Sequence, residues 1–251
     1  MQFHWYEDPA ALAGHAADRI AALLHRKPDA AIALPTGQTP LMLYRELAQR
    51  HRTGALSLAA AHLFNLDEYL GLPGRHPMSY AAFLRDNLID LVDADPARVH
   101  LLDGASADPA AACAAHDRAV EAAGGLDLAI LGLGVNGHIA FNEPGCSWQT
   151  RGHVVDLAEA TLARHREQTG RGDLPKRGLT MGVATLREAR SVLLLASGSG
   201  KRAAMAALLA GRGDPDWPVT SMLTHPDLLV LAEERLRRPL SPADGLRAAA
   251  G

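Results

Sequence analysis

Short apolar runs alternate with longer segments of helical periodicity along most of the chain. Three of the longer segments begin at Asp-Pro or Thr-Pro, which is typical of helix starts. The predicted helices span residues 8–28, 41–54, 79–92 and 108–125. The apolar runs predict strands over residues 30–35, 61–66, 98–102, 126–134, 177–183, 191–197 and 227–233. This alternation indicates an α/β fold, with a mostly parallel sheet and helices on both of its faces.

The bulk composition narrows the class of protein. The 251 residues are 48% hydrophobic and 21% charged, which fits one large globular domain or two small ones. A net charge of -3 gives no electrostatic basis for a nucleic-acid partner. No apolar run is long enough to span a membrane, and the polar start is unlike a signal peptide. With only Cys113 and Cys146, the chain fits a reducing compartment, so we expect a cytoplasmic protein with no membrane partner.

Polar residues gather where four of the predicted strands end. The four loops read "PTGQTP" (35–40), "NLDEYLG" (65–71), "GLGVNGHIAFNEP" (132–144) and "ASGSGKR" (196–202). In an open parallel sheet, ligands bind beyond the carboxyl ends of the strands. We therefore predict that the four loops face one cavity.

Two of these loops suit a phosphate group. Gly37 allows the backbone to approach a ligand, Thr36 and Thr39 supply hydroxyls, and the next helix presents its amino end. The "SGSGK" loop repeats this pattern and adds the charge of Lys201. Helix capping explains either loop taken alone, so only the pair of loops favours an anionic ligand.

The other two loops carry groups that can move protons. Asp67 and Glu68 end a strand, where alternation directs only one of them into the cavity. Partial burial raises the pKa of such a carboxylate towards that of a general base, although a turn or capping aspartate is the competing interpretation. In "GHIAFNE", His138 can shuttle protons, and Glu143 can orient it or set its protonation state.

The histidine pattern does not favour a metal site. The 12 histidines are scattered, with no HxH or HExxH spacing. His15, His25, His51 and His116 lie on predicted helices and fit surface or packing roles.

Residues 146–176 form a candidate flap segment. This stretch is rich in Arg, Gln, Thr and Gly and poor in large apolar side chains. A mobile flap and an ordinary surface helix with its loop both fit this composition. The Ala- and Arg-rich tail after Pro239 is expected to be peripheral.

Together these motifs resemble the glucosamine-6-phosphate deaminase (isomerase) family. The matching stretches are "LPTGQTPLMLYREL", "FNLDEYLGLPGRHPMSYAAFL", "LGLGVNGHIAFNEPG", "LPKRGLTMGVATLREARSVLLLASGSGK" and "WPVTSMLTHPDLLVL". The related 6-phosphogluconolactonases share the early phosphate loop but differ where this chain has "HIAFNEP". The resemblance therefore implies a deaminase with a modified Rossmann-like α/β fold of the CoA-transferase-like type. It also implies a single domain over residues 1–251, with the candidate flap segment inside it.

The resemblance also implies roles for individual residues. Asp67 matches the base that moves a proton between C2 and C1 of the open-chain sugar, and His138 matches the residue that assists ring opening. Glu143 and Asn136 belong to the same relay, but an amide cannot ionise, so only Glu143 can stabilise a protonated His138. Substrate or phosphate binding is implied for Thr36, Gly37, Gln38, Thr39, Gly137, Lys201 and Arg166, with Arg164 as the alternative flap arginine. No metal or organic cofactor is implied, because a carboxylate and an imidazole suffice.

The implied reaction converts glucosamine 6-phosphate to fructose 6-phosphate and ammonia. The altered flap leaves galactosamine 6-phosphate, with tagatose 6-phosphate as product, as an alternative. A 6-phosphogluconolactonase and a non-catalytic sugar-phosphate sensor are further alternatives. We expect a monomer or a small homo-oligomer that binds a small-molecule sugar phosphate and no nucleic acid.

Overall fold

The structure, a computed structural model, describes residues 1–170 and 175–237. Its strands are β1 (Gln2–Tyr6), β2 (Ala31–Leu34), β3 (His62–Asn65), β4 (Asp67–Tyr69), β5 (Val99–His100), β6 (Leu128–Gly132), β7 (His153–Asp156), β8 (Arg177–Thr180), β9 (Ser191–Ala196) and β10 (Leu228–Glu233). Its helices are α1 (Pro9–Arg26), α2 (Leu41–Arg52), α3 (Tyr80–Asn87), α4 (Pro109–Ala122), α5 (Glu159–Thr169), α6 (Val183–Arg187) and α7 (Arg202–Leu209). Within these residues, no helix has the length and apolar content needed to cross a membrane. The tail after Pro239 lies outside the described residues.

A seven-stranded parallel sheet forms the centre of the described structure. Its strand order is β1-β10-β9-β6-β2-β3-β5, and every neighbouring pair runs parallel. Successive side chains of β9 face opposite sides of the sheet. Leu193 packs in the apolar cluster with α1, α2 and α3, whereas Leu194 packs in the cluster with α6 and α7. The predicted mostly parallel sheet with helices on both faces is therefore confirmed.

A second sheet of three antiparallel strands, in the order β4-β8-β7, accompanies the parallel sheet. The strand predicted over residues 177–183 is present as β8, which pairs with β4 and β7 and lies outside the parallel sheet. An apolar run predicts a strand but does not specify its partner. The edge strand β1 was not predicted, since "QFHWY" mixes polar and aromatic residues. The helix predicted to end at residue 92 stops at Asn87, and a 3-10 turn follows at Ile89–Leu91.

Asp127 links the starts of two central strands to the end of α1. Its buried carboxylate accepts hydrogen bonds from the backbone N–H of Ala31 at 2.8 Å, from Lys27 Nζ at 2.7 Å and from Arg190 Nη1 at 2.9 Å. Lys27 caps α1, Ala31 begins β2, and Arg190 immediately precedes β9. One carboxylate therefore fixes the register of a helix end and two strands.

We predict that Asp127→Ala lowers the free energy of unfolding by about 2–4 kcal/mol, since a buried N–H and two cations lose their shared partner. Urea unfolding measures this change. Asp29→Ala is the matched control, because Asp29 is an exposed partner 3.8 Å from the same Lys27. It should cost no more than about 0.5 kcal/mol. Equal losses in the two variants would contradict the account of Asp127.

His116 is a buried imidazole between α4 and the parallel sheet. Its Nε2–H donates to the backbone carbonyl of Asn65 at 3.0 Å, and its ring meets Phe64 edge-on with 5.6 Å between ring centroids. Burial lowers the pKa of His116 to about 4. The packing role predicted for this histidine agrees with these contacts.

We predict that His116 makes folding weaker as the pH falls. The pKa of His116 is about 4 in the folded protein and near 6.5 in the unfolded chain. The free energy of unfolding is therefore unaffected by this histidine above pH 6.5 and falls steadily between pH 6.5 and pH 4, where only the unfolded chain binds the proton. His116→Gln keeps a donor for Asn65 and removes this titration. The unfolding free energy of the wild type relative to His116→Gln should therefore drop by about 3 kcal/mol between neutral pH and pH 4. Denaturant unfolding at several pH values tests this, and a pH-independent difference would refute it.

Candidate active site

A cavity of about 480 Å³ opens at the carboxyl edge of the parallel sheet. The strands that lead into it, β9, β6, β2 and β3, are consecutive neighbours, so the loops that follow them meet at one place. All four loops contribute to the lining, including Thr36, Asp67, His138 and Lys201. The structure thus brings together the four loops that were expected to share a cavity.

Hydroxyls and a lysine join two of the loops at one end of the cavity. Thr39 Oγ1 lies 2.9 Å from Ser197 Oγ, and Lys201 Nζ donates to Thr39 Oγ1 at 3.2 Å. Gly37 has a φ of 99°, a conformation that glycine adopts without strain. Within the described part of the chain, no group accepts a hydrogen bond from the backbone N–H of Gly37 or Gln38. This end therefore offers hydroxyls, N–H groups and a positive charge, which are the donors that a phosphate requires.

Glu233 holds the second of these loops in position. Its buried carboxylate accepts a hydrogen bond from the backbone N–H of Gly198 at 3.0 Å, and Arg235 Nε pairs with the same oxygen. Gly198 has a φ of 89° at this point. Burial raises the pKa of Glu233, but its bonds to Arg235 and Gly198 outweigh burial and lower the pKa below its usual value. An ionised Glu233 therefore anchors the loop that carries Lys201.

The carboxylate of Asp67 faces the cavity with an incomplete set of partners. Asp67 is 6% exposed, and among the described residues nothing hydrogen-bonds its Oδ1. Burial, and then the charge of the adjacent Glu68, raise the pKa of Asp67 well above its usual value. A carboxylate in this condition is suited to accept a proton from a bound ligand.

Glu68 turns away from the cavity and caps α3. Its carboxylate accepts hydrogen bonds from the backbone N–H groups of Tyr69, Tyr80 and Ala81 at 2.8, 2.9 and 2.8 Å. Burial raises the pKa of Glu68 to about 7. Asp67 lines the cavity and Glu68 does not, as strand alternation predicts.

His138, Asn136 and Glu143 form a hydrogen-bonded group beside the cavity. His138 lines the cavity, and its Nδ1 lies 3.6 Å from Glu143 Oε2. Asn136 Nδ2 donates to that same oxygen at 2.9 Å, and Asn136 Oδ1 accepts from the backbone N–H of His138 at 3.2 Å. Burial raises the pKa of Glu143, but its hydrogen bonds to His138, Thr161 and Asn136 outweigh burial and lower the pKa to about 2. Glu143 is therefore a stable anion next to the imidazole.

Two glycines shape the turn that carries His138. A Cβ at Gly134 would lie 2.5 Å from the His138 ring, and a Cβ at Gly137 would lie 2.7 Å from the Trp217 ring. The N–H of Gly137 donates to the carbonyl of Gly134, and its own carbonyl accepts from Val219. Gly137 is not among the cavity-lining residues and both of its backbone groups are paired, so its substrate contact stays a prediction. Its role here is to form the turn.

The flap segment supplies two side chains that the sequence analysis did not identify. Thr161 Oγ1 lies 3.2 Å from His138 Nδ1, and His165 lines the cavity. The two residues are four positions apart on α5, so they share one face of the helix. The four-residue spacing of Thr161 and His165 is the sequence signal that could have identified the two residues. Residues 171–174 of the flap segment lie outside the described residues.

Arg166 does not reach the cavity. Its Nη1 donates to Glu159 Oε1 at 2.5 Å along the outer side of α5. Adjacent helix positions point about 100° apart, and His165 takes the position that lines the cavity, so phosphate binding by Arg166 stays a prediction. The side chain of Arg164 lies outside the described part of the chain.

Aromatic rings form one wall of the cavity. Tyr69 and Tyr80 lie with 5.0 Å between their ring centroids, and Phe141 lies 5.5 Å from Tyr80. Tyr69 hydrogen-bonds His165 Nδ1 through its hydroxyl, and the hydroxyl of Tyr80 lies 3.3 Å from His165 Nε2. Burial raises the pKa of both tyrosines, so their hydroxyls stay protonated.

In residues 1–170 and 175–237, no set of three or more His, Cys, Asp or Glu side chains is arranged to hold a metal ion. The stacked pair His62 and His100, with 3.2 Å between Nδ1 and Nε2, contacts Arg98 instead.

Known proteins match this chain over nearly its full length. Residues 7–230 match the family described as glucosamine-6-phosphate isomerases/6-phosphogluconolactonase. A glucosamine-6-phosphate deaminase of Beutenbergia cavernae is 43% identical over 96% of this chain and 93% of the relative. The glucosamine-6-phosphate deaminase of Shewanella loihica is 38% identical over 98% of this chain and 92% of the relative.

Solved structures agree with the sequence match. A monomeric glucosamine-6-phosphate deaminase has a TM-score of 0.92 and 36% identity, covering 94% of this chain and 99% of its own. A 6-phosphogluconolactonase from Trypanosoma cruzi has a TM-score of 0.77 and 20% identity, covering 96% and 97%, and shares the fold. The chain therefore belongs to the glucosamine-6-phosphate isomerase/6-phosphogluconolactonase family.

Proposed function

We propose that this protein is a glucosamine-6-phosphate deaminase, which converts glucosamine 6-phosphate and water to fructose 6-phosphate and ammonia. The observation that carries the proposal is the Asp67 carboxylate, which shares one cavity with His138 and with the loop of residues 36–39. Its Oδ1 has no partner among the described residues, so it is available to a ligand. The relatives at 43% and 38% identity bear the name of this activity.

The phosphate is proposed to bind where Lys201 and Thr39 meet. Thr36, Gly37 and Gln38 line the same end of the cavity, so hydroxyl, backbone and ammonium donors can surround the phosphate oxygens. Phosphate binding at this end would direct the sugar ring towards Asp67 and His138. This anchoring would fix which carbon atom meets each catalytic group.

His138 is proposed to open the sugar ring. The imidazole would take the proton of the C1 hydroxyl and return a proton to the ring oxygen, which yields the open-chain aldehyde. The anionic Glu143 beside it would stabilise the transient imidazolium, with Asn136 holding the carboxylate in place. This step needs no change in the charge of Asn136.

Asp67 is proposed to move the proton from C2 to C1. The raised pKa of Asp67 makes it an effective base, and the C2 ammonium of the substrate would bring the opposite charge that ionises it. Asp67 takes the C2 proton while the C2 ammonium passes a proton to the C1 oxygen, which gives an enolamine, and return of the proton from Asp67 to C1 gives a protonated imine at C2. Water then adds to C2 and ammonia leaves, which completes the balance.

We also propose that the chain acts as one domain over residues 1–251, with the flap segment as part of its active site. A monomer is the proposed state, since the solved deaminase of 36% identity is described as monomeric. A cytoplasmic location is proposed from the sugar-phosphate substrate and the two unpaired cysteines.

We predict that Asp67→Asn lowers ammonia release by about 10²–10⁴-fold, because the amide cannot accept the C2 proton. Purified protein is assayed with glucosamine 6-phosphate and with galactosamine 6-phosphate. Asp86→Asn is the control, since Asp86 is an exposed residue of α3. Release from galactosamine 6-phosphate alone would replace the proposed substrate with its epimer. Hydrolysis of 6-phosphogluconolactone, or binding without turnover, would refute the deaminase proposal.

We predict that Gly134→Ala lowers kcat at least about tenfold, since the new Cβ would meet the His138 ring at 2.5 Å and displace the imidazole. Gly14→Ala on α1 is the matched control, because a Cβ there meets nothing within 4 Å. Steady-state ammonia release and thermal unfolding are measured for both variants. Unchanged kcat in Gly134→Ala would show that the position of the imidazole does not limit the reaction.

A further inference from the structure

The chain crosses from the parallel sheet to the antiparallel sheet just before the proposed base. Asn65 ends β3, Asp67 begins β4, and only Leu66 lies between them. The backbone N–H of Leu66 donates to the carbonyl of Leu34 at 3.3 Å, and the carbonyl of Leu66 accepts from Met181 at 2.7 Å. Asp67 is therefore the first residue after the crossing, and its direction depends on how the crossing is held.

The Asp67 carboxylate needs a restraint other than a hydrogen bond to its own Oδ1. Within the described part of the chain, no group hydrogen-bonds this oxygen. A base that accepts a proton from a ligand cannot use the same oxygen to bind a protein donor. The main chain must therefore set its direction, and at residue 67 the main chain pairs with Thr180 of β8 on one side.

The buried side chain of Asn65 holds the same main chain. Its Nδ2 donates to the backbone carbonyl of Asp67 at 2.8 Å, and its Oδ1 accepts from the backbone N–H of Leu102 at 2.8 Å. A carbonyl only accepts and a backbone N–H only donates, so the two partners allow one orientation of the amide. The carbonyl of Asn65 is itself bonded to His116 Nε2 at 3.0 Å. Asn65 thus ties Asp67 to the segment after β5 and to α4.

We propose that Asn65 is a positioning residue, whose side-chain amide fixes the backbone of Asp67 so that the carboxylate faces the cavity. An amide suits this position because it presents one donor and one acceptor to two backbone groups of opposite kind. An ionised carboxylate has no donor, so the carbonyl of Asp67 would face a negative oxygen instead. Only the expected effect on turnover rests on the proposed function.

Asn65→Asp makes the donor at this position depend on pH. The protonated carboxyl has the shape of the amide and a hydroxyl that can donate to Asp67, whereas the ionised form cannot donate. Burial and the facing carbonyl disfavour the ionised form, so the loss of the proton falls within a range of about pH 6 to pH 9. Across this range, kcat relative to the wild type should fall at least about tenfold. Ionisable groups on the neighbouring elements titrate in the wild type as well, so the ratio isolates the introduced carboxyl; they are Asp67, Glu68, His100 and His116.

Two further variants separate positioning from a general loss of stability. Asn65→Ala has no donor at any pH, so it should lower kcat at least about tenfold at both ends of the range. KM should change by less than about threefold, since the proposed phosphate site lies on other loops. Asn87→Asp is the matched control, because Asn87 Nδ2 donates to the backbone carbonyl of Phe83 at the same distance of 2.8 Å. Its kcat ratio should not change with pH, and thermal unfolding at each pH verifies the fold.

Crystal structures of Asn65→Asp at low and high pH give a readout that needs no activity. At about pH 6 the introduced side chain should stay within hydrogen-bond distance of the Asp67 carbonyl. At about pH 9 the two groups should separate, and the Asp67 carboxylate should move by about 1 Å, a displacement that can cost about 10²-fold in rate.

Three results would overturn the role of Asn65. One is a native kcat in Asn65→Ala, and a second is a kcat ratio of Asn65→Asp that does not change with pH. The third is an Asp67 carboxylate that keeps its place in both crystal structures. If the native protein releases no ammonia, the proposed function fails, and the two crystal structures still decide whether Asn65 positions Asp67.

Discussion

The Glu143 carboxylate is the interaction on which the arrangement of the site depends. A buried anion is tolerated only when its oxygens are well paired, and here the side chain of Asn136 and the backbone N–H of Ala158 donate to them, with His138 Nδ1 3.6 Å away. One of these donors comes from the flap segment and the other from the turn that carries His138. The need to pair one charge therefore couples the flap helix α5 to the end of the central strand β6.

Two carboxylates lie in opposite environments, Asp67 in the wall of the cavity and Glu143 next to the cavity-lining His138. Asp67 is buried with an unpaired oxygen, which raises its pKa, whereas Glu143 is buried with several donors, which lower its pKa to about 2. Such a separation divides the work of proton transfer, because one group exchanges protons while the other remains a fixed charge. Glu68 follows Asp67 directly along the chain, but its carboxylate accepts hydrogen bonds from the N–H groups at the start of α3. Burial raises the pKa of all three acids, and only at Glu143 do the hydrogen bonds and the neighbouring His138 outweigh it.

Features set by local geometry could be predicted from the sequence. The parallel sheet placed its strand-end loops together, and strand alternation separated Asp67 from Glu68. Pairing between distant segments could not be predicted, so the strand over residues 177–183 could be identified but not its antiparallel partners β4 and β7. The inner face of α5 was missed for the same reason: whether His165 or Arg166 faces the cavity depends on how the helix docks, and its weak amphipathic pattern does not specify that.

The central claim is that one cavity holds the phosphate at residues 36–39 and Lys201 while Asp67 meets C2 of the sugar. The most direct measurement is a crystal structure with an unreactive open-chain analogue, the amino-alditol phosphate that corresponds to glucosamine 6-phosphate. The account predicts phosphate oxygens bonded to Thr39 and Lys201, with C2 in contact with an oxygen of Asp67. A phosphate bound elsewhere, or a C2 atom beyond the reach of Asp67, would contradict it.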